Sequence, residues 1–414
     1  MFSIRRRKLI FIFLTVTTIF FIITINFVDI LSKFQSEVIR THLRIEDKIR
    51  KIQEHLPEIY YLRQHNTDLI SDDFIQYLKS GGKVYNLDKL WNEANSWVTK
   101  TQLYNIHSKL GDVLFALQNA KILKCDLDNR GSQLKFLLTL EGNQEIIFKP
   151  KWYEKDEIIE GVVYAGKDRY GSEILGFYLS GLFEKPLVPI SAERVVSFTN
   201  ELLPVATTNF LKTTLSIDNR TCVYGTCYYC NKNDPICENS NRTLSGAAIF
   251  NIKGAIKVHK SPWRRIYKIG KIAEWQANDN YCKIITQNLS SKRILDFVDV
   301  AIFDFLIQNG DRHHYETLNG NLLWLDNGKG LGNPNIDHID ILAPLYQCCQ
   351  IRKSTWSRLL QLSGGVLKEK LKSLPNIGNF VTDTHLDALE RRLLIVYATV
   401  EFCMSINKEK MNIL

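Results

Sequence analysis

The 414-residue chain lacks several features that mark common protein classes. No dense run of lysine and arginine interleaved with aromatic residues follows its N-terminus, which argues against nucleic-acid binding. It has no internal repeat and no low-complexity tract. With 45% hydrophobic and 23% charged residues, it also lacks the composition of a disordered chain. This length and composition suit one large domain or two fused lobes.

A single long apolar run lies near the N-terminus. Basic residues occupy positions 5–8, and the uncharged run 9–28 follows. Its length matches the roughly 20 residues that a bilayer-spanning helix needs, and basic flanks stay cytosolic. A cleaved signal peptide is the alternative, but its apolar region would span only about 7–15 residues. We therefore predict a cytosolic tail at 1–8, a signal anchor at 9–28 and a luminal C-terminal mass.

Luminal placement makes disulfides permissible for the nine cysteines. Nine cysteines would form four disulfides and leave one free thiol, although spacing alone does not reveal which cysteines pair. Four cysteines crowd into residues 222–237, where a zinc knuckle is the alternative to disulfides. Three sequons for N-glycosylation agree with luminal exposure. They begin at Asn219, Asn241 and Asn288.

Residues 29–82 are interpreted as a luminal stem. Apolar residues recur at helical spacing within it, at Ile39, Leu43, Ile49 and Ile52, among many charges. Such a segment either pairs with a partner helix or holds the domain off the membrane, and a solvated spacer is favoured. The domain proper is predicted at 83–414.

The order of predicted elements within this domain indicates an α+β fold. Residues 133–140 and 144–149 are β-rich runs separated by Glu-Gly-Asn, which is a hairpin pattern. A helix is predicted at 172–183, and 292–309 is apolar on most sides, as in a buried helix. A polar loop then leads to a short strand at 322–325.

Five charged residues follow these elements in the order that phosphoryl transfer requires. Lys149 ends a strand, Glu173 opens a helix, Asp311 and Glu316 lie in the polar loop, and Asp326 follows the last strand. A kinase needs a lysine on the phosphates, a carboxylate that accepts the hydroxyl proton and another that binds Mg²⁺ or Mn²⁺. The pattern is divergent, because His-Arg is missing before Asp311 and no Gly-x-Gly-x-x-Gly precedes the hairpin.

Two other metal motifs compete with this interpretation. Asp311-Arg-His-His offers ligands for zinc, although two neighbouring histidines seldom bind one ion from the same loop. Asp126-Leu-Asp128 is similar to the Asp-x-Asp motif of glycosyltransferases, which share the single-anchor topology. Such a short motif is common by chance.

At these residues the chain resembles the secretory-pathway kinases that include Golgi casein kinase and glycosaminoglycan xylosylkinase. Two further segments, 221–230 and 341–349, are closer to the xylosylkinase branch. The resemblance spans roughly residues 85–405. The motifs that carry it are Phe148-Lys149-Pro150, the Cys222–Cys237 cluster, Asp311-Arg-His-His-Tyr-Glu and Asp326-Asn-Gly.

The resemblance implies a divergent two-lobed kinase fold, with a β-rich N-lobe at about 83–245 and a helical C-lobe at about 252–414. It makes Asp311 the catalytic base. Asp326 and Glu173 would hold Mn²⁺ or Mg²⁺, with pairing to Lys149 as the other role for Glu173. The residues that it places around ATP are Gln133, Lys149, Ala248, Ile249, Phe250, Asn251, Glu316 and Asp326.

The resemblance also implies a disulfide-stapled insertion and a free Cys125. One departure from the family pattern lies at the start of the helix, where Tyr170-Gly171-Ser172 replaces the usual His-Asn-Ala. This puts the local packing in doubt. The implied pairs are Cys222–Cys237, Cys227–Cys230, Cys282–Cys348 and Cys349–Cys403.

The expected activity is transfer of the ATP γ-phosphate to the 2-hydroxyl of xylose in the linker between a glycosaminoglycan and its core protein. A secretory Ser protein kinase and a pseudokinase that activates a related kinase are the alternatives. The retained Glu173 argues against the pseudokinase. The resemblance places the protein in the Golgi membrane as a type II protein, and it leaves room for homo- or hetero-oligomers with related kinases.

Overall fold

The computed structural model describes residues 2–56, 73–268, 270–406 and 412–413, with side chains omitted at 2–12, 34–35, 37–44 and 412–413. The first part of the chain is helical. Its first helix is continuous over 53 residues. The four N-terminal helices are α1 (Phe2–Glu54), α2 (Asp73–Lys79), α3 (Leu87–Ser96) and α4 (Leu110–Asn119).

Part of α1 is long and apolar enough to cross a membrane. This stretch is Phe13–Lys33, with a mean hydropathy of 2.1 and no buried residues. It overlaps the anchor predicted at 9–28 but begins and ends later, and the side chains of residues 9–12 lie outside those described. Its orientation across a membrane stays a prediction.

The spacer predicted after the anchor is wrong for the last turns of α1. Ile49 is fully buried, and Ile45 and Ile52 pack against the core. Arg50 Nη2 donates to the carbonyl of Asp337 at 3.2 Å. The described part of the predicted apolar stripe, Ile49 and Ile52, therefore packs against the domain itself, which removes these side chains from water.

Helix α2 also belongs to the packed domain rather than to a stem. Phe74, Ile75 and Leu78 are buried, and Phe74 meets Phe177 edge to face at 6.0 Å between ring centroids. The packed domain therefore includes residues before 83, namely α2 and the last turns of α1. Residues 57–72 of the predicted stem lie outside the described residues.

The middle of the chain forms one five-stranded sheet with an insertion. The strand order is β1-β2-β3-β8-β4, and every neighbouring pair is antiparallel. In chain order the elements are β1 (Ile122–Leu127), β2 (Phe136–Leu140), β3 (Gln144–Pro150), α5 (Tyr170–Leu182), β4 (Ser191–Ser197), α6 (Thr208–Leu211), β5 (Thr214–Ile217), β6 (Arg220–Val223), β7 (Ile236–Cys237) and β8 (Thr243–Phe250).

The predicted hairpin is the β2–β3 pair, which joins Leu140 to Gln144. Gly142 and Asn143 take positive φ in its turn, a conformation that glycine and asparagine tolerate best. The altered start of α5 has a packing reason. A Cβ on Gly171 would lie 2.7 Å from Phe380 Cβ, so glycine permits this close approach.

The last part of the chain combines helices with a small sheet in the order β11-β10-β9. The predicted buried helix is α9, where Ser290 caps the N-terminus and Gln308 adopts a left-handed conformation at the C-terminus. In chain order the elements are β9 (Lys257–Lys260), α7 (Glu274–Ala277), α8 (Tyr281–Ile285), α9 (Ser291–Ile307), β10 (His314–Leu318), β11 (Asn321–Leu323), α10 (Ala343–Cys348), β12 (Gln350–Ile351), α11 (Lys353–Gln361), α12 (Val366–Lys372), α13 (Asp383–Ile406) and β13 (Asn412–Ile413).

The cysteines form the disulfides that the resemblance implies, and the zinc knuckle is excluded because its four cysteines are paired. Cys125 is the free, buried thiol. The sequon residues Asn219, Asn241 and Asn288 are all exposed, as glycosylation would require. The bonds join Cys222 to Cys237, Cys227 to Cys230, Cys282 to Cys348 and Cys349 to Cys403.

Candidate active site

A buried lysine, Lys149, lies in contact with three carboxylates. Lys149 Nζ donates to Asp168 Oδ2 at 2.9 Å, to Glu173 Oε1 at 2.6 Å and to Asp326 Oδ1 at 2.7 Å. The Lys149 side chain is only 7% exposed, whereas that of Asp326 is 71% exposed. The cluster is therefore buried on one side and open to solvent on the other.

Different elements deliver these four side chains. Lys149 lies near the end of β3, opposite Ala247 of β8, and Glu173 lies in the first turn of α5. Asp168 precedes that helix by two residues. Asp326 follows β11 with a φ of 56°, the left-handed region that acidic and amide residues tolerate better than most.

Gly328 accounts for part of the Asp326-Asn-Gly motif. A Cβ on Gly328 would lie 2.5 Å from Asp168 Cγ, so only glycine lets Asp168 approach the cluster. Asn327 adds a second link, because its backbone N–H donates to Glu173 Oε1 at 3.0 Å. The motif thus positions two carboxylates: Asp168, which precedes α5, and Glu173, which lies in its first turn.

The charges of the cluster shift the pKa values of its members. Burial lowers the pKa of Lys149, but the attraction of Asp168, Asp326 and Glu173 outweighs burial and holds the pKa well above its ordinary value. The ammonium of Lys149 in turn holds the pKa of Asp326 below its usual range. Lys149 is therefore charged, and Asp326 is ionised at neutral pH.

The same carboxylates can hold a metal ion. Asp168, Glu173 and Asp326 each offer an oxygen, all within 4.8 Å of one another, and no other such group occurs in the described parts of the chain. Three carboxyl groups face Lys149, and Lys329 Nζ lies 3.7 Å from Asp168 Oδ1. The acidic groups therefore outnumber the basic ones, a balance that suits a divalent cation. Oxygen ligands of this kind suit Mg²⁺ and Mn²⁺.

The loop after α9 connects this cluster to the predicted base. Asn309 Nδ2 donates to the carbonyl of Asp326 at 3.3 Å, and Asn309 Oδ1 accepts from the backbone N–H of Asp311 at 3.4 Å. Arg312 is buried against Asp304 and donates to Asn327 Oδ1 at 2.9 Å. These bonds fix the backbone of Asp311 relative to that of Asp326.

Aromatic side chains surround the carboxylate of Asp311. The hydroxyl of Tyr267 donates to Asp311 Oδ1, and His313 Nδ1 lies 3.5 Å from the same oxygen. The Tyr267 ring meets the Tyr164 ring edge to face at 4.7 Å between centroids. Burial, then the bond to Asp311, raises the pKa of Tyr267, so its hydroxyl stays protonated and donates.

The other residues predicted to bind the nucleotide differ in their burial and in their position in the fold. Glu316 is half-buried on β10, and burial raises its pKa. Gln133 lies before β2 and is also half-buried. Residues 248–250 are committed to the sheet, because β8 pairs with β3 on one side and β4 on the other. Their roles toward ATP stay predictions.

A comparison with protein families decides the affiliation. The family model described as "Fam20C: Golgi casein kinase, C-terminal, Fam20" matches residues 89–412. The chain belongs to the Fam20 family. A human glycosaminoglycan xylosylkinase is 41% identical over 333 residues, which cover 77% of this chain and 81% of the relative.

Solved Fam20 structures share the fold. A hydra Fam20 structure with sugar superposes with a TM-score of 0.74 at 36% identity, covering 78% of this chain and 98% of the other. A Golgi casein kinase structure with Mn/ADP bound gives a TM-score of 0.73 at 26% identity, covering 84% and 90%. The fold is therefore the kinase-like α and β fold of Fam20 proteins, while the boundary between two lobes stays a prediction.

Sequence reasoning missed two residues of this Fam20 site. No role was predicted for Asp168, yet its side chain contacts Lys149 directly. The sequence did contain a signal, because Asp168 is a second acidic residue five positions before Glu173. Tyr267 lies 44 residues from Asp311, and nothing in the local sequence indicates their contact.

The residues of the competing metal motifs make hydrogen bonds and ring contacts within the protein. Asp126 accepts the hydroxyl of Thr207 at 2.7 Å, and Asp128 accepts Arg130 Nη2 at 2.8 Å. The side chains of Asp126 and Asp128 are therefore hydrogen-bonded to loops next to the sheet. His313 and His314 contact each other edge to face at 4.4 Å, outside the one carboxylate cluster found in the described chain.

Proposed function

We propose that the chain transfers the γ-phosphate of ATP to the 2-hydroxyl of xylose in the glycosaminoglycan–protein linker. One observation carries this proposal: Asn309 bonds both to the backbone N–H of Asp311 and to the carbonyl of Asp326, so the loop with the candidate base is tied to the segment with the candidate metal ligand. The similarity to a human xylosylkinase supports xylose as the acceptor.

The chain's own residues would divide the work as follows. Lys149 is held by Asp168 and Glu173, so its ammonium is already oriented for the phosphates of ATP. Asp311 accepts the proton of the acceptor hydroxyl, and Tyr267 keeps one of its oxygens engaged. Positioning and electrostatics carry the reaction, because phosphoryl transfer asks for little covalent work from the protein.

Asp326 and Glu173, with Asp168 beside them, would hold Mn²⁺ or Mg²⁺, which offsets the negative charge on the transferring phosphates. The related Golgi casein kinase was solved with Mn/ADP, which favours the same nucleotide and metal here. We further place the protein in the Golgi membrane as a type II protein, anchored through Phe13–Lys33.

Two alternatives remain distinguishable from this proposal. A Ser protein kinase is favoured by the similarity to Golgi casein kinase. A pseudokinase activator is disfavoured, because Lys149, Glu173, Asp311 and Asp326 are all present and the first, second and fourth are in contact.

The deciding experiment offers the purified protein ATP, Mn²⁺ and two acceptors: a galactosyl-xylose and an acidic Ser peptide. We expect phosphate on the sugar alone. Phosphate on the peptide alone would assign the chain to the protein kinases. Phosphate on neither, with ATP bound, would support the pseudokinase.

A further inference from the structure

An exposed basic strip lies on the segment that follows β8 and includes β9. Residues 253–271 contain seven lysines and arginines and no acidic residue, whereas the whole chain has a formal net charge of only +9. Six of the seven are exposed. These six, here called the basic strip, are Lys253, Lys257, Lys260, Arg264, Lys268 and Lys271.

The charges of the basic strip are not neutralised within the described chain. None of the ion pairs among its described residues involves a member of the strip. The seventh basic residue, Arg265, differs, because it pairs with Asp340 and donates Nε to the carbonyl of Gly310 at 3.1 Å. Arg265 thus fastens the segment to the loop that holds Asp311, and the basic strip is left free for another molecule.

The basic strip runs alongside the catalytic loop. In the β9–β10 pair, Lys257 lies opposite Thr317 and Lys260 opposite His314. Ser261 then donates its N–H to the carbonyl of His313 at 3.0 Å. With the contacts of Arg265 and Tyr267, residues 257–267 follow residues 310–317 along their length. The expectation that no basic run follows the N-terminus is therefore wrong for residues 253–271, where Trp263 and Tyr267 lie among the basic residues.

We propose that the basic strip binds an acidic segment of the core protein that carries the xylose. This inference rests on the proposed function and adds the polypeptide to its acceptor. The 2-hydroxyl of xylose is on the carbon next to the one bonded to the core protein. When that hydroxyl reaches Asp311, the polypeptide must therefore lie within about one sugar width of the catalytic loop. Acidic side chains a few residues from the attachment site complement the strip.

The test uses the full-length protein and three acceptors: galactosyl-xylose, a galactosyl-xylosyl peptide with Glu residues beside the attachment site, and the same glycopeptide with Gln in their place. The readout is the ratio of kcat/KM for the Glu glycopeptide to that for the Gln glycopeptide. We expect a ratio of about ten at low ionic strength, falling toward one as salt screens the charges. A ratio of one at low salt would overturn the inference.

A matched pair of variants separates the strip from net charge. Lys257→Glu/Lys260→Glu should bring the ratio to one or below. The control, Lys121→Glu/Lys353→Glu, removes the same charge from exposed sites in other elements and should keep the wild-type ratio. An equal loss in both variants would overturn the inference in favour of a general electrostatic effect.

Two further outcomes are informative. A sulfated oligosaccharide that inhibits turnover of the Gln glycopeptide, combined with a glycopeptide ratio of one, would assign the strip to a saccharide and overturn the inference. Absence of phosphate on galactosyl-xylose and on both glycopeptides would instead refute the proposed function, and the inference with it. The free sugar thus distinguishes the two failures.

Discussion

The proposed nucleotide side, around Lys149, and the proposed acceptor side, around Asp311, differ in how their charges are paired. At the nucleotide side, Lys149 is buried and bonded to three carboxylates. At the acceptor side, Asp311 accepts a neutral tyrosine hydroxyl, and the basic strip beside it has no acidic partner among the described residues. One side is organised before any ligand binds, and the other is left open.

This difference reflects what each side must do. The phosphates of ATP carry the same charges in every turnover, so a preorganised ammonium and metal site costs no reorganisation at the moment of reaction. Acceptors differ among Fam20 proteins, whose relatives include a xylosylkinase and a casein kinase. An open acceptor side can be altered without disturbing the buried cluster, which lets one fold serve several acceptors.

The largest expected effect separates chemistry from nucleotide binding. Asp311→Ala should lower kcat by about 10²–10⁴-fold, because the acceptor hydroxyl loses its base. Nucleotide affinity, measured by calorimetry, should stay unchanged, since Asp311 does not contact Lys149. The exposed Asp279→Ala is the matched control. Loss of nucleotide binding in Asp311→Ala would contradict the separation of the two sides.

Substitutions in the carboxylate cluster should instead impair metal-dependent nucleotide binding. Asp326→Ala should abolish the Mn²⁺ dependence of nucleotide binding, because an oxygen ligand and a Lys149 partner are both lost. Asp168→Asn should weaken the same binding by about 10–100-fold, the usual effect of perturbing a metal site. Nucleotide titrations with and without Mn²⁺ provide the measurement. Wild-type metal dependence in Asp326→Ala would refute its role.

Tyr267→Phe sharpens the comparison on the acceptor side. The ring and its contact with Tyr164 remain, but the hydroxyl that donates to Asp311 is removed. We expect kcat to fall about tenfold, which corresponds to about 1.4 kcal/mol and to one hydrogen bond on a charged group. KM for ATP should not change. The control, Tyr164→Phe, keeps the ring contact and should leave kcat unchanged. A rise in KM for ATP with Tyr267→Phe would indicate that Tyr267 acts on the nucleotide side, which would contradict its assignment to the acceptor side.

The smallest expected effect is at Glu46, which lies in the part of α1 that packs against the domain and belongs to neither side of the site. Burial, then the nearby Asp340, raises the pKa of Glu46 to about 7, although Arg50 and Arg265 oppose the shift and Asp47 adds to it. The folded protein therefore keeps a proton that the unfolded chain releases above about pH 4.5. Stability from this group falls as pH rises from about 4.5 to 7.

Glu46→Gln should remove that pH dependence. We expect a difference of about 1 kcal/mol in the free energy of unfolding between pH 5 and pH 7.5, smaller than the full shift because solvent screens the site. Thermal melts of wild type and variant at both pH values provide the measurement, with Asp47→Asn, an exposed neighbour, as control. Parallel pH profiles for wild type and Glu46→Gln would contradict this assignment.

The reach of sequence reasoning differs between local and distant features. The hairpin of β2 and β3, the buried α9 and the order of Lys149, Glu173 and Asp326 follow from periodicity and spacing, which are local properties. The solvated spacer was the wrong interpretation, because a charged amphipathic helix looks the same whether its stripe meets a partner or its own domain. The burial of Ile49 shows the difference only in the tertiary structure, where α13 packs against α1.

The chain's sequence by itself determined an N-terminal helix long and apolar enough to cross a membrane, the β2–β3 hairpin, the buried α9 and the residue types needed for phosphoryl transfer. Each depends on neighbours within a few turns or on chemistry that the side chain always carries. Only the tertiary structure decided that Asp168 joins Lys149, that Tyr267 donates to Asp311 and that the basic strip follows the catalytic loop. The first two contacts join residues 19 and 44 positions apart, and the contact between Lys149 and Asp326 spans 177 residues. Packing brings them together, and no local pattern encodes a contact of that range.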